Sequence, residues 1–465
     1  MIRTILWHRG DLRLRDHEAL WAALAGADEL IPLLIIDDHI FKRADLSSRR
    51  KAWFLENVRV LRQSYRQRGS DLVVLRGLPE ELLPKLAQDY QVQELHYLAS
   101  FTPYGLKRDA LVKEAFEQLA IKSQAHQGLY GLSPGKVLNQ QGEAYKVYSP
   151  FMRRWRVLYA EGSFKILSIP EKLKPLPEGI EIGEIEEVES DISLPEVGES
   201  AAWTSLRKFF QEDAPHYHES HNFASQERST SQLSYYFSLG ILSARQAFSL
   251  AEQHKQESKQ EAKKGYEMWQ NELIWREFSA DLLYHNPQML TKAFNSKWQA
   301  FPWREGEEAQ EDLACWQAGQ TGYPLIDAGM RELAATGFMH NRLRMLCASF
   351  LTKNLLISWQ EGEAIFKKLL LDGDTAQNVA NWQWVAGCGA DAAPYFRIFN
   401  PILHIDKFNL YDYIRRWCPE LTSLSDEEIK KGDYSKVKSY PQAMVDHYQV
   451  RDSFLSLAES HLKQT

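Results

Sequence analysis

Hydroxyl side chains cluster at residues 229–234, STSQLS, just before an apolar pattern typical of a helix. Their oxygens can cap a helix N-terminus by accepting hydrogen bonds from free main-chain N–H groups. Together with those N–H groups, the hydroxyls can also cradle a phosphate. On this stretch alone both interpretations stay open.

A second group of polar residues lies in the helical pattern YEMWQNELIWREFSADLL. Trp269, Glu272 and Arg276 are spaced so that they share one helix face, and Trp275 follows Glu272 by one turn. Taken alone, this spacing is typical of a buried aromatic stripe that contains an internal Glu–Arg pair.

A third pattern, GFMHNRLRMLCASFLTKNLL, places Asn341, Arg344 and Met345 on one face of a helix that is otherwise apolar. An arginine in such surroundings needs an acidic partner. Asp372 and Asp374, in LLLDGDTAQN, are the candidates, although an Asp-Gly pair is also an ordinary turn.

Two tryptophans, Trp382 and Trp384, lie close together in the uncharged stretch NWQWVAG. In a strand the two indoles would share a face. In a helix they would point apart and could serve different tasks.

The composition is that of an ordinary globular protein, with 44% hydrophobic and 25% charged residues. No apolar run has the length of a membrane span, and the charged N-terminus is not a signal peptide. These features predict a cytoplasmic protein with no membrane partner. The four cysteines form no CxxC pair, so no metal site is expected.

Acidic charge is concentrated in one segment. The net charge is −7, but residues 175–200 hold nine of the 62 acidic residues and none of the 55 basic ones. The rest of the chain therefore has a slight basic excess and could present a basic face to nucleic acid.

The elements that must position these residues differ between the two halves of the chain. Residues 1–130 alternate buried strands (TILWH, LIPLLIID, DLVVLRG, ELHYLAS) with amphipathic helices, which predicts a parallel α/β domain with crossover helices. The GxGxxG fingerprint is absent. Residues 131–200 lack periodicity and are interpreted as a surface connector, and residues 201–465 as an all-α domain.

Several motifs, in this order, resemble one family: DLRLRDHEAL, TSQLS, WQNELIWREF, TGYPLIDAGMRELAATGFMHNRLRM, LLLDGDTAQNVANWQWVAG and YFRIFNP. The chain is similar to the photolyase/cryptochrome blue-light flavoproteins, and most to class I enzymes that repair cyclobutane pyrimidine dimers. The resemblance implies an α/β domain able to hold an antenna chromophore and a helical domain that binds FAD. It also implies a hole beside the FAD for a dimer flipped out of DNA.

The resemblance assigns the FAD contacts to one set of residues in the helical domain. An ion pair between Arg344 and Asp372 would lie beside the flavin. Asn378 would face flavin N5, where a neutral amide does not oppose an anionic reduced flavin. The expected FAD-binding residues are Tyr217, Thr230, Ser231, Gln232, Leu233, Ser234, Trp269, Arg276, Asn341, Arg344, Asp372, Asp374 and Asn378.

The resemblance also implies roles for the tryptophans and for the DNA-binding residues. Trp382, Trp359 and Trp303 would carry electrons to the flavin, and Glu272 would hydrogen-bond the dimer. Trp384 would stack on the lesion opposite Trp275. The expected DNA-binding residues are Glu272, Trp275, Asn341, Arg342, Met345 and Trp384.

The chain departs from the family pattern at Ser229, Gln232, Tyr235 and Phe338, where Gly, Arg, Pro and Trp are usual, and at Gly10, where Arg or Gln is common. In SFTPYGLKRD no acid precedes Asp109, whereas folate-binding relatives use a Glu in that loop. A deazaflavin-type antenna is therefore favoured over folate, with another flavin or no antenna as alternatives.

The resulting prediction is a deoxyribodipyrimidine photo-lyase, acting as a monomer on UV-damaged DNA. Reduced FAD, excited by light, would pass an electron to the dimer and recover it after the ring splits. One alternative is a cryptochrome photoreceptor, which often carries a long C-terminal tail that is not seen here. The other is an NAD(P)H-dependent flavin enzyme, against which the missing GxGxxG counts.

Overall fold

This computed structural model describes residues 1–162, 165–226, 228–434 and 436–464. The N-terminal part is a five-stranded parallel sheet in the order β3-β2-β1-β4-β5. The strands are β1 (Arg3–His8), β2 (Glu29–Asp37), β3 (Val73–Gly77), β4 (Glu94–Leu98) and β5 (Lys122–His126). The helices between them are α1 (Glu18–Gly26), α2 (Asp38–Phe41), α3 (Ser48–Arg66), α4 (Pro79–Asp89) and α5 (Pro103–Gln118).

The sheet confirms the predicted α/β architecture and adds one strand. Strands β1, β2 and β4 are largely buried apolar runs, as expected where helices cover both faces. Strand β5 reads KSQAH and is mostly exposed at the sheet edge, so it lacks the apolar pattern on which the prediction depended. The segment expected to form the antenna loop, residues 100–109, is mostly helical, because helix α5 begins at Pro103.

The connector contains a helix that its sequence did not predict. Helix α6 (Tyr148–Glu161) buries Phe151 and Trp155. The Trp155 indole N–H donates to Glu277 Oε2 at 2.5 Å, and Leu132 N donates to the same oxygen at 2.9 Å. The connector therefore packs into the helical domain.

The acid-rich end of the connector lies instead against the α/β domain. Leu30 N donates to the Pro175 carbonyl at 3.0 Å, and Val74 N donates to the Ile182 carbonyl at 2.8 Å. Asp191 pairs with the guanidinium of Arg49 at 2.5 Å. The acid-rich segment, residues 175–200, therefore lies on the N-terminal domain, which agrees with the uneven distribution of charge along the sequence.

The rest of the chain is helical, which confirms the second part of the predicted fold. Short 3-10 turns occur at Ala214–His216, Pro287–Leu290, Ser296–Trp298 and Pro419–Leu421, and a π-helical turn, Phe350–Asn354, continues α14. The helices are α7 (Gly198–Glu212), α8 (Tyr217–Ser220), α9 (Ser234–Ser238), α10 (Ala244–Glu257), α11 (Gln260–His285), α12 (Glu307–Ala318), α13 (Pro324–Thr336), α14 (Asn341–Ser349), α15 (Trp359–Leu369), α16 (Thr375–Ala386), α17 (Pro401–Lys407), α18 (Tyr411–Trp417), α19 (Asp426–Lys431) and α20 (His447–Gln464).

Buried charges join the two domains. The Arg13 guanidinium donates to the carbonyls of Gly240 at 2.8 Å and Gly128 at 2.7 Å. Asp16 and Arg245, both buried, form an ion pair at 3.0 Å. Removing one partner of such a pair leaves an uncompensated buried charge, so these contacts fix the domains against each other.

Helix α11 is the longest, at 26 residues, and is buried over most of its length. A Cβ atom at Gly265 would lie 2.0 Å from the Ala214 carbonyl oxygen, so only glycine allows this close approach. In the part of the chain that the structure describes, no helix is long and apolar enough to cross a membrane.

Candidate functional site

The helical domain contains an open cavity of ≈ 400 Å³ between the segment before α9 and helices α11, α14 and α16. Its volume falls within the range of small-molecule sites. Fifteen residues expected at the site line this cavity: Tyr217, Thr230, Ser231, Gln232, Leu233, Ser234, Trp269, Glu272, Trp275, Arg276, Asn341, Arg344, Met345, Asp372 and Trp384.

The hydroxyl stretch does not cap the helix that follows it. Helix α9 begins at Ser234, and its N-cap residue, Leu233, makes no side-chain cap bond. Gln232 has φ +51°, a left-handed conformation uncommon for a residue with a side chain. Thr230, Ser231 and Ser234 line the cavity, where their hydroxyls can meet a polar ligand.

A half-buried ion pair lies in the cavity wall. Arg344 Nη2 and Asp372 Oδ2 are 2.8 Å apart, and Arg344 Nε donates to the Met339 carbonyl at 2.8 Å. Among the described residues, neither Asp372 Oδ1 nor Arg276 Nε has a hydrogen-bond partner, although both atoms are buried. Buried polar atoms are usually satisfied, so these two are candidates for hydrogen bonds to a polar ligand.

A smaller pocket of ≈ 110 Å³ adjoins the cavity and shares Arg344 and Asp372 with it. Asn378 lines this pocket and donates its Nδ2 to Glu363, at 2.7 Å to Oε1 and 2.9 Å to the carbonyl. Those bonds leave the amide oxygen for the pocket. Asp374, also in this wall, accepts from Gln377 N at 3.0 Å and caps α16.

Trp382 and Trp384 lie on helix α16 and point to different surroundings. Trp384 lines the main cavity, whereas Trp382 is buried beside the smaller pocket. The Trp382 ring contacts Phe366, with centroids 5.0 Å apart, and Trp316, at 6.2 Å. A Cβ atom at Gly362 would meet the indole of Trp382 at 2.1 Å, so glycine makes room for this ring.

Trp359 and Trp303 line neither pocket. Trp359 begins α15 and is buried, and Trp303 is partly exposed. Arg304 N donates to the Leu356 carbonyl at 2.8 Å, which holds the segment after Trp303 close to the start of α15. Burial therefore decreases from Trp382 and Trp359 to Trp303.

Glu272 and Trp275 face the cavity from α11. The Glu272 carboxyl is open to the cavity but surrounded by protein, and this loss of solvent raises its pKa to about 7. No cation contributes to the pKa shift of Glu272. A protonated Glu272 carboxyl is therefore accessible near neutral pH, and in that form it can donate a hydrogen bond.

Arg342 lies outside the cavity wall. Its guanidinium donates to Asn222 Oδ1 and stacks 4.8 Å from the Phe408 ring centroid. Burial and the charge of nearby Arg397 lower the pKa of Arg342, which remains a cation at neutral pH. Arg342 and the exposed Arg397 give this part of the surface a positive charge.

Some residues of the site carry no sequence signal of their own. The cavity is also lined by Phe237, Leu273, Ser279, Phe338, Met339, Gln377 and Asn381. Of these, only Phe338 stood out in the sequence, as a departure from a family motif. Glu363 and Trp316 were missed as well, since their importance comes from contacts with Asn378 and Trp382 made only in the folded chain.

The fold is an α/β domain followed by a helical domain, and its cavity, lined by hydroxyl groups, an ion pair and aromatic rings, is typical of a protein that binds a small-molecule cofactor. Two family models match the chain: DNA photolyase over residues 4–175, and the FAD binding domain of DNA photolyase over residues 269–460. A deoxyribodipyrimidine photo-lyase of Thermus thermophilus is 43% identical over 91% of this chain and 94% of the relative. The chain belongs to the DNA photolyase family.

Solved structures agree with this assignment. A bacterial class III photolyase from Agrobacterium tumefaciens has a TM-score of 0.88 and 31% identity, covering 100% of this chain and 98% of its own. A Synechocystis cryptochrome has a TM-score of 0.89 and 27% identity, covering 98% and 99%. An archaeal photolyase from Sulfolobus tokodaii with two FAD molecules has a TM-score of 0.83 and 26% identity, covering 99% and 100%.

We predict that Asp372→Ala loses FAD during purification, because the half-buried Arg344 is left in the cavity wall without its anion. Since the pair is only half-buried, the loss of FAD-binding free energy should stay below the roughly 3–5 kcal/mol typical of removing one partner of a fully buried pair. Flavin absorbance per protein, after denaturation, measures the loss. Asp406→Ala, at an exposed carboxylate paired with Lys430, is the matched control and should keep its flavin; full flavin content in Asp372→Ala would contradict the assignment.

Proposed function

We propose that the chain repairs cyclobutane pyrimidine dimers in DNA, using blue light absorbed by FAD. Bound FAD, in its reduced form, supplies the electron that opens the cyclobutane ring. The observation that carries the proposal is the cavity itself, which is lined by hydroxyl groups and an ion pair for a cofactor and by aromatic rings for two pyrimidine rings.

The residues present fit FAD. Thr230, Ser231 and Ser234 would hold the diphosphate with their hydroxyls. Asp372 Oδ1 and Arg276 Nε would find in the cofactor the hydrogen-bond partners that the protein does not give them. Tyr217, Gln232, Leu233, Trp269, Asn341, Arg344 and Asp374 would complete the site.

Asn378 would contact flavin N5 through its amide oxygen. Glu363 holds the Asn378 Nδ2 group, so the amide presents an acceptor to this part of the pocket. An acceptor favours a protonated N5, which is the state found in reduced flavin. The arrangement therefore supports a site adapted to the reduced cofactor.

The dimer would enter the cavity beside Trp275, Trp384 and Met345, which provide flat and apolar surfaces for its rings. Glu272, when protonated, would donate a hydrogen bond to a pyrimidine carbonyl and stabilise the negative charge that develops there. Asn341 would contribute a neutral amide. Arg342, on the positive surface near Arg397, would hold a flanking phosphate.

The Trp382–Trp359–Trp303 chain is proposed as the route for light-driven reduction of the bound flavin. The outward decrease in burial supports it, because an electron supplied from solvent must enter at an accessible ring. The contact of Trp316 with Trp382 makes Trp316 a matched control position.

The geometry around His340 favours cyclobutane dimers over six-four photoproducts, whose repair requires a proton donor. His340 Nδ1 accepts from Arg342 N and caps α14. Burial and the charges of Arg342 and Arg344 lower the pKa of His340 to about 4. His340 is therefore neutral at physiological pH, and its neighbour Asn341 cannot act as an acid.

We also propose that the α/β domain binds an antenna chromophore, either of the deazaflavin type or a second flavin. The carboxyl ends of β1 and β4 carry a cluster in which Arg9 stacks on Trp7 and Tyr97, at 4.5 and 4.9 Å. The buried Trp7 Nε1 has no hydrogen-bond partner among the described residues. Mass spectrometry of the chromophores released by denaturation distinguishes a deazaflavin, a folate and a flavin.

A signalling role is the second candidate, since one structural neighbour is the Synechocystis cryptochrome, but the relatives named deoxyribodipyrimidine photo-lyase support repair. The decisive assay illuminates the reduced protein with an oligonucleotide that contains one cyclobutane dimer and measures restored thymines. We expect restoration in the light, none in the dark, and none with a six-four photoproduct. Binding of the dimer without light-dependent restoration would favour the photoreceptor, and restoration of the six-four substrate would overturn the lesion assignment.

We predict that affinity for the dimer falls as the pH rises through about 7, because Glu272 has its raised pKa there. Below that pH the carboxyl is protonated and donates to the lesion; above it, a carboxylate faces the pyrimidine oxygen. The loss should be roughly 1–3 kcal/mol. Fluorescence anisotropy between about pH 6 and pH 8 measures it. Glu272→Gln, a donor at every pH, should flatten the profile, and an unchanged slope would refute the role.

We predict that Trp382→Phe abolishes light-driven reduction of the oxidised flavin but leaves repair by chemically reduced protein nearly intact. The reason is that the first process draws electrons through Trp382, whereas the second begins from a flavin that already holds them. Flavin absorbance under illumination and the repair assay report the two processes separately. Trp316→Phe is the control and should keep both; equal loss of both activities in Trp382→Phe would contradict the chain.

A further inference from the structure

One face of Trp275 is covered by a residue of the connector. The Tyr148 ring stacks on the Trp275 indole with centroids 3.4 Å apart and an interplanar angle of 6°. Tyr148 is 8% exposed, whereas Trp275 is 36% exposed and lines the cavity. The indole therefore has one face against Tyr148 and leaves the other for a ligand ring.

Three further contacts hold Tyr148 in place. Its hydroxyl donates to the Asn271 carbonyl of α11 at 3.1 Å, and its ring meets Phe278 edge to face, with centroids 5.8 Å apart. Its main-chain N–H donates to Asp391 Oδ2 at 3.0 Å. A ring fixed at its hydroxyl, edge and main chain has little freedom to rotate, and the indole stacked on it shares this restriction.

The Asp391 contact connects Tyr148 to the opposite wall of the cavity. Asp391 follows α16, the helix that carries Trp384, and Ala393 N donates to the Trp384 carbonyl at 3.3 Å. Asp391 has φ +48°, a left-handed conformation that costs free energy outside glycine and persists only where surrounding contacts impose it. Tyr148 thus touches both Trp275 and the loop behind Trp384.

We infer that Tyr148 is a positioning residue, which sets the plane of Trp275 and its separation from Trp384 for two stacked pyrimidine rings. The inference rests on the lesion-stacking role proposed for Trp275. Ordering the indole before the lesion arrives removes an entropic cost from binding. Bases of undamaged DNA are expected to stay stacked in the duplex and outside this slot, so the benefit should apply to the damaged site and raise specificity.

The test compares Tyr148→Leu with Tyr148→Phe. Tyr148→Leu removes the stack and should weaken binding of a dimer-containing duplex about threefold to tenfold, with binding of the undamaged duplex unchanged. Tyr148→Phe keeps the ring and should stay within about twofold. Flavin content and melting temperature are measured alongside; should Tyr148→Leu lose flavin, Asp391→Ala, which frees the main chain but keeps the ring, tests the same selective loss.

A double-mutant cycle with Trp275→Leu separates positioning from general packing. If Tyr148 acts through Trp275, adding Tyr148→Leu to Trp275→Leu causes little further loss of dimer affinity. Additive losses, or equal weakening of damaged and undamaged DNA, would overturn the inference. If Trp275→Leu alone leaves dimer affinity unchanged, the stacking role proposed for Trp275 is what fails.

Discussion

Charged groups on the buried side of a helix must find partners within the protein, and helix α11 meets this constraint largely with main-chain groups. Glu277 accepts from Leu132 N, Asp281 accepts from Gly135 N at 2.7 Å, and Arg276 donates to the Leu129 carbonyl at 3.2 Å. Burial still raises the pKa of Glu277 to about 7. These three main-chain partners lie where the α/β domain passes into the connector, so the helix that forms one cavity wall also fixes the path of the chain outside it.

Charged side chains also connect the smaller pocket to the N-terminal domain. Glu363, which orients the Asn378 amide, is itself partly buried, and its pKa is raised by that burial. The charges nearest to it include Lys367, which pairs at 2.9 Å with Asp45 between α2 and α3. A change in the α/β domain at Asp45 can therefore reach the group proposed to contact flavin N5 without any movement of a helix.

Structural features of this protein were predictable from the sequence where the pattern that indicates them is local. Apolar runs predicted four strands, but Lys122–His126 forms an exposed edge strand from polar residues. Spaced motifs predicted most of the cavity wall, because helix periodicity and family resemblance agree there. Tyr148 was not predicted, since its role arises from a stack with Trp275, far away in the sequence. Trp316 was missed for the same reason.

The path of the connector limits where the chain can be divided into separate modules. A division at residue 200 would separate Trp155 from Glu277 and Tyr148 from Trp275. In the helical half alone, the Glu277 carboxylate would lose the Trp155 indole as a hydrogen-bond donor, and the Trp275 indole would lose the ring that stacks on it. The two halves are thus distinct in architecture but not autonomous, and recombination between relatives would preserve the active site only where crossover points keep residues 128–161 together with α11.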